Sequence, residues 1–176
     1  YMTGILPIKK YGEHSALNMF DEYSMTNQRE LAEFTGFTGE EVQKLCVQYD
    51  MSFDNMKQWY DGFIFGTHAD IYNPWSILNF CDTGIFTTYW ANTSSNSLVG
   101  KLLREGNRRI KEKFEILLRG ESIRSEIDEQ IVYNQLDGNE RAVWSLLLAS
   151  GYLKVLSFES YRDIPEGTNP KYELAL

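Results

Sequence analysis

The sequence predicts a mainly α fold with a small β component, an α+β arrangement, and three observations predict it. A run of capped, amphipathic segments fills the chain from Thr26 to Gly120. Near the C-terminus two apolar stretches, "YLKVLSFESY" and "KYELAL", flank a Pro/Gly-rich loop, "RDIPEGTNP". The opening "YMTGILPI" reads as one further apolar strand.

Taken in order, that strand is followed by a polar turn, "KKYGEHS", and by a short amphipathic piece from Ala16 to Tyr23 with Leu17, Met19 and Phe20 as its apolar side. Thr26 precedes "NQRELAEF", a helix candidate with Leu31 and Phe34 at helical spacing. In "TGEEVQKLC", Thr38 stands as N-cap with Glu41 three residues on. This is a capping box, with two acidic residues in the first turn to complement the helix dipole. Ser52 caps a second helix, Phe53 to Tyr60, with Phe53, Met56 and Trp59 or Tyr60 on one face, and Asp61-Gly62 turns the chain. In "YNPWSILNF" Asn73 can cap and Pro74 suits the first helical position, where a missing N–H has no partner to lose. Trp75, Ile77 and Leu78 are expected to form the buried stripe. "NTSSNSLVGKLLREGN" and "RRIKEKFEILLRG" read as two consecutive helices stopped by Gly106 and Gly120, the second burying Ile110, Phe114, Leu117 and Leu118.

After Gly120 the pattern changes. Ile123 and Ile127 lie among polar neighbours as in a half-buried strand, Asp137-Gly138-Asn139 is a turn, "ERAVWSLLLASG" is an apolar helix ended by Gly151, and the two final strands form a hairpin. Strand, helix, helix and hairpin in this order fit a winged-helix-like α+β unit.

The formal charge of -8 disfavours non-specific attachment to nucleic acid, which depends on Lys and Arg displacing counterions. Cys46 and Cys81 lack any C-x-x-C or Cys/His cluster and read as small apolar core residues in a reducing cytoplasm, a disulfide being the lesser alternative. No stretch is long and apolar enough for a membrane span, so no membrane partner is expected.

The search for chemistry is mostly negative. The sequence holds no phosphate-cradling G-x-x-x-x-G-K-[ST], no G-x-S-x-G and no H-E-x-x-H, and its two histidines, His14 and His68, are isolated. No catalytic and no metal-ligating residue is assigned. Glu121, Glu126, Asp128 and Glu129 form an acidic group that could hold Mg2+ for phosphodiester cleavage. It lacks a companion lysine in an E-x-K arrangement and reads better as a solvated face. The basic "RRIKEK", Arg108 to Lys113, interleaves with a buried stripe and reads as a solvated helix face before a nucleic-acid contact.

"YMTGILPIKKYGEHSALNMFDEYSMT", "FTGEEVQKLC", "WYDGFIFG", "YNPWSILNF", "YWANTSSNSLV" and "VWSLLLASGYLKVL", in this order, resemble the AAA-ATPase-like proteins of anaerobic gut and soil bacteria. Those proteins join a P-loop ATPase-like domain to a C-terminal PD-(D/E)XK nuclease-like domain. The resemblance covers essentially the whole chain and implies that it is the middle segment of such a protein. On that reading residues 1–25 end the ATPase-like α/β core, 26–120 form a helical lid-like region and 121–176 the winged-helix-like unit.

The resemblance also implies a non-catalytic, regulatory role in a nucleotide switch. ATP and Mg2+ would belong to the full-length parent rather than to this segment, whose partners would be the upstream ATPase core and the downstream nuclease-like domain. A further protein partner is open, and DNA is a weaker alternative. It implies that Pro74, flanked by Tyr72 and Asn73, walls the adenine side of an ATP pocket, and that Thr3 occupies the place of a γ-phosphate sensor. The residues themselves permit this: Gly62 and Gly66 allow close backbone approach or positive φ, Tyr72 and Trp75 offer stacking surface, and a capped helix N-terminus would point free N–H groups outward. The same aromatics and glycines would equally serve to pin a loop to a helical core.

Overall fold

The computed structural model describes residues 21, 23–60, 62–89, 100, 104–128, 139–160, 162–166 and 168–176. The fold is α+β, with helices and two small antiparallel sheets. It divides into two compact units, one of Thr26–Asn96 and one of Tyr1–Met25 with Ser97–Leu176. The opening strand, the piece from Ala16 to Phe20 and most of "NTSSNSLVGKLLREGN" lie outside the described residues.

Thr26–Asn96 begins with a 3-10 helix, Arg29–Phe34, in place of the expected amphipathic α-helix. Gln28 offers it no side-chain cap, and only Ala32 is buried, while Leu31 and Phe34 face solvent. Helix α1, Gly39–Gln48, starts at the anticipated capping box: the Glu41 N–H donates to the Thr38 hydroxyl, and the Thr38 N–H donates to the Glu41 carboxylate at 2.8 Å. Those bonds to Thr38 hold the Glu41 carboxyl below the usual carboxylate range. Helix α2, Phe53–Trp59, is capped by Ser52, whose hydroxyl accepts from the Asn55 N–H. It buries Met56 and leaves Trp59 exposed.

The stretch after α2, read from the sequence as a turn, is a hairpin. Strand β1, Phe63–Phe65, pairs antiparallel with β2, His68–Ile71, across a two-residue turn. Helix α3, Pro74–Thr83, follows and ends on left-handed Gly84. Its buried side is Ser76, Ile77, Phe80 and Cys81. The expected stripe is therefore corrected: Ile77 is buried, but Trp75 and Leu78 are 53% and 51% exposed on the other face. The core of this unit gathers Val42, Cys46, Met56, Tyr72, Ile77, Phe80 and Cys81.

In the second unit, helix α4, Arg108–Leu118, is capped by Asn107, whose side-chain oxygen accepts from the Ile110 N–H at 3.0 Å. It buries Ile110 and Leu117 and half-buries Phe114, whereas Leu118, expected inside, is 66% exposed. Strand β3, Ile123–Glu126, is followed by helix α5, Glu140–Ala149, in which every residue from Ala142 to Leu148 is buried. Strands β4, Lys154–Phe158, and β5, Lys171–Ala175, form the anticipated hairpin, and the sheet runs β3-β5-β4. Ile123 and Ser125 lie opposite Leu174 and Tyr172, and Ile123 and Leu174 join Ile110, Leu117, Trp144 and Leu147 in one core. Helix α4 thus packs with the elements after residue 120. On the outer face of the sheet, Ser122 and Ser157 each donate to the Glu173 carboxylate at 2.7 Å and hold its carboxyl below the usual range.

Candidate functional site

The turn between β2 and α3 carries three of the four residues singled out from the sequence. Tyr72 leaves β2 and at once makes an isolated antiparallel bridge to Phe37: its N–H donates to the Phe37 carbonyl at 2.7 Å, and the Phe37 N–H returns the bond at 3.0 Å. That bridge drives the Tyr72 ring inward, where it is 0% exposed among the side chains of α1, α2 and α3. A ring in that position fills the core and presents no face to a ligand.

Asn73 takes an extended conformation and caps α3, its Oδ1 accepting the N–H groups of Trp75 at 2.9 Å and Ser76 at 3.4 Å. Pro74 has no N–H, and the Ile77 N–H donates to the Asn73 carbonyl at 3.2 Å. The first turn of α3 is therefore fully satisfied from within. The expectation of free N–H groups pointing outward is overturned, and with it an anion site at this helix end. What the turn does present is apolar: exposed Pro74 and the half-exposed indole of Trp75. Thr3 lies outside the described residues.

The two glycines have internal roles. A Cβ on Gly62 would stand 2.7 Å from the Asp70 Cα and 2.8 Å from the Ile71 nitrogen, so its hydrogen lets the chain pass β2 at backbone contact distance. Gly66 sits in the hairpin turn at φ 60° with open space around it. Neither faces a cavity.

The sequence reading missed the clamp around 84–89. The Tyr60 hydroxyl donates to the Thr87 carbonyl at 2.9 Å and accepts the Thr87 N–H at 3.3 Å, and burial pushes its phenol up from the ordinary tyrosine value, so it remains a donor. The Tyr89 hydroxyl donates to the Ile85 carbonyl at 2.6 Å and bonds the Thr83 hydroxyl. The Trp75 indole N–H donates to the Tyr89 carbonyl at 3.3 Å. Phe86 stacks on Phe80 with centroids 4.2 Å apart and on Trp59 at 5.5 Å. The signal was the density of aromatics from Trp59 to Tyr89. Their partners lie up to 27 residues apart, which no local pattern encodes.

Most of the charged groups singled out from the sequence are paired. Arg141 donates to Asp128 at 2.6 Å and lies 3.6 Å from Glu126, which also accepts from Asn169, so these carboxylates of the acidic group are neutralised by a cation of the chain itself. Glu129 lies outside the described residues, and among the described residues no group of three or more His, Cys, Asp or Glu is placed to hold a metal ion. In the basic cluster, Arg108 pairs with Glu112 at 2.7 Å, and Arg109 and Lys113 both pair with Glu140, at 3.2 and 2.6 Å. Burial of the Glu140 carboxyl works to raise its pKa. The bonds and charges of Lys113, with Trp144 and Arg109, outweigh that and hold it below the usual range.

Cys46 and Cys81 are free, buried thiols in one core, and burial pushes both up from the ordinary thiol value. No helix among the described residues is long and apolar enough to cross a membrane. Compared with known proteins, no protein-family model, no curated protein and no solved structure matches the chain.

Proposed function

We propose that this chain is a non-catalytic, lid-like regulatory segment of an AAA-ATPase-like nucleotide switch, in which Pro74 forms part of the wall against the base of a bound ATP. One observation carries the reading. The Asn73–Pro74 turn is rigidly built, exposed and apolar, with every N–H of the following helical turn already bonded, so it suits the flat face of a base and is unsuited to a phosphate. The phosphates and Mg2+ would be held by the P-loop domain that the family resemblance implies. Tyr72 serves this wall from behind, as core, and Asn73 as the cap that fixes the turn. Buried free thiols support a cytoplasmic setting.

The test is ATP binding by calorimetry, with Mg2+, to the chain joined to its P-loop domain, with and without Pro74→Ala. Loss of affinity on substitution is expected. Unchanged affinity would overturn the base-wall reading and leave the turn as scaffold.

A second reading, a winged-helix-like interaction module, has its own support in the order α4, β3, α5, β4, β5 and the strand order β3-β5-β4. Its partner on this reading is protein. The helix that would enter a DNA groove, α5, is buried along 142–148, and three of the four bases of "RRIKEK" are paired with carboxylates.

A further inference from the structure

We infer that the outer face of α3 is a docking surface for a basic, amphipathic segment of another protein. Trp75, Leu78 and Asp82 follow one another at spacings of three and four residues and so share one side of the helix. Trp75 and Leu78 are half-exposed, Asp82 is exposed and has no ion-pair partner among the described residues, and Ile85, just beyond the helix, is 63% exposed. A helix with one apolar side in its own core and a second facing outward has more apolar surface than its fold consumes.

The surface is also held in place before any partner arrives. Trp75 is fixed by its bond to the Tyr89 carbonyl, the segment 84–89 is clamped by Tyr60 and Tyr89, and Asn79 bonds back to the Trp75 carbonyl at 2.7 Å. A preformed anchor of this kind loses little conformational freedom on binding.

Charge selects the class of partner. Between Thr26 and Asn96 the sequence has three Lys and Arg, at 29, 44 and 57, against nine Asp and Glu, a formal charge of -6 out of the -8 of the whole chain. From Gln58 to Gly100 there is no Lys or Arg at all. An apolar face set in so acidic a unit repels acidic segments and nucleic acid and attracts an apolar stripe flanked by Lys or Arg. This occupant is a protein segment and goes beyond the nucleotide reading above, which rests on Pro74.

The probe is a synthetic amphipathic helix of Leu and Lys, with its Leu/Glu counterpart as control, titrated into the full chain by calorimetry at two salt concentrations. The Leu/Lys helix is expected to bind and the Leu/Glu helix not to. Leu78→Ser should weaken binding about tenfold by removing an anchor. Asp82→Lys should weaken it and flatten its salt dependence. Both side chains are exposed, so unchanged circular dichroism will confirm that either variant is folded. Pro74→Ala should leave peptide binding intact, which separates failure here from failure of the nucleotide reading. Equal binding of both peptides, or no loss in Leu78→Ser and Asp82→Lys, would overturn the inference. So would concentration-dependent dimerisation of the chain in sedimentation that Leu78→Ser abolishes, since the occupant would then be a second copy.

Discussion

In the unit that holds Ser97–Leu176 the core is built from Leu, Ile, Val and Ala around Trp144, and its charges close on one another: Glu140 with Lys113 and Arg109, Asp128 with Arg141, Arg108 with Glu112. Thr26–Asn96 is made differently. Its core is aromatic and sulfur-bearing, with Tyr72, Phe80, Met56, Cys46 and Cys81, and Lys57 pairs with Asp70 at 2.9 Å. The first unit closes much of its charge in these ion pairs, although it too leaves Leu118, Leu156, Phe158 and Leu176 exposed. The second leaves Trp59, Trp75, Leu78 and Ile85 outside and carries most of the net charge unopposed. What separates the two units is charge: apolar surface on an acidic unit fits the recognition role proposed above, whereas closed ion pairs fit support.

The comparison breaks most visibly at Trp144. Its indole is fully buried and its N–H donates to Glu140 at 3.4 Å. Trp144→Ala should destabilise the Ser97–Leu176 unit by about 3–5 kcal/mol, through lost burial and the cavity left behind. Denaturant unfolding followed by far-UV dichroism measures it. The peptide and nucleotide surfaces assigned to Thr26–Asn96 should keep their affinities in conditions where Trp144→Ala remains folded.

Gly62→Ala tests the acidic unit in the same currency. The added methyl would meet backbone atoms of Asp70 and Ile71 at 2.7 and 2.8 Å, and backbone cannot swing aside as a long side chain can. A cost of about 3 kcal/mol is expected from overpacking. Gly66→Ala, in the same hairpin, meets nothing and should cost only about 1 kcal/mol, for its left-handed backbone. Equal losses in the two variants would mean that the close approach at Gly62 relaxes freely.

Glu140 supplies the sharpest test of charge closure. Its folded pKa is lowered, so the stabilisation it gives is complete above the ordinary glutamate value of 4.5 and is lost as pH falls through the depressed folded value. Glu140→Gln should cost about 2 kcal/mol at neutral pH by removing the partner of half-buried Lys113. The gap between wild type and variant in thermal melts should stay constant from pH 7 to about pH 5 and close below pH 4.5. A gap that persisted at pH 3 would assign the effect to packing instead of charge.

How much of this was legible in advance depended on range. Caps and stops are local, and Thr38 with Glu41, Ser52, Asn73 with Pro74, Gly120 and Gly151 all stand at helix ends as their chemistry requires. The β4–β5 hairpin was legible because two apolar stretches of strand length flank the Pro/Gly-rich loop "RDIPEGTNP". The β1–β2 hairpin was not, because strands of three and four residues leave no period to read, although Gly66-Thr67 between "FIF" and "HADI" was a turn signal. The side of α3 that faces inward was misjudged because Trp75 and Leu78 are as apolar as Ile77 and Phe80. The inner face is the one that packs Ile77, Phe80 and Cys81 with Val42, Cys46, Met56 and Tyr72, contacts between distant segments that no local pattern encodes. The helix start at Asn73–Pro74 was legible, but its inventory of donors was not, since Asn73 consumes them by a side-chain conformation the sequence does not specify.

Asn73 carries the smallest expected effect and separates scaffold from ligand contact. Asn73→Ala removes the acceptor for the Trp75 and Ser76 N–H groups and should cost about 1 kcal/mol of stability, read as a lowered midpoint in urea. Asn73→Ser keeps a capping oxygen and should recover most of that loss. If Asn73 acts only by fixing the turn, Asn73→Ser should also preserve ATP affinity in the protein that carries the P-loop domain, while Pro74→Ala weakens it at unchanged stability. A serine variant that is stable and yet loses ATP binding would mean that the Asn73 amide touches the nucleotide itself, and the wall would then include a polar contact that the cap alone does not explain.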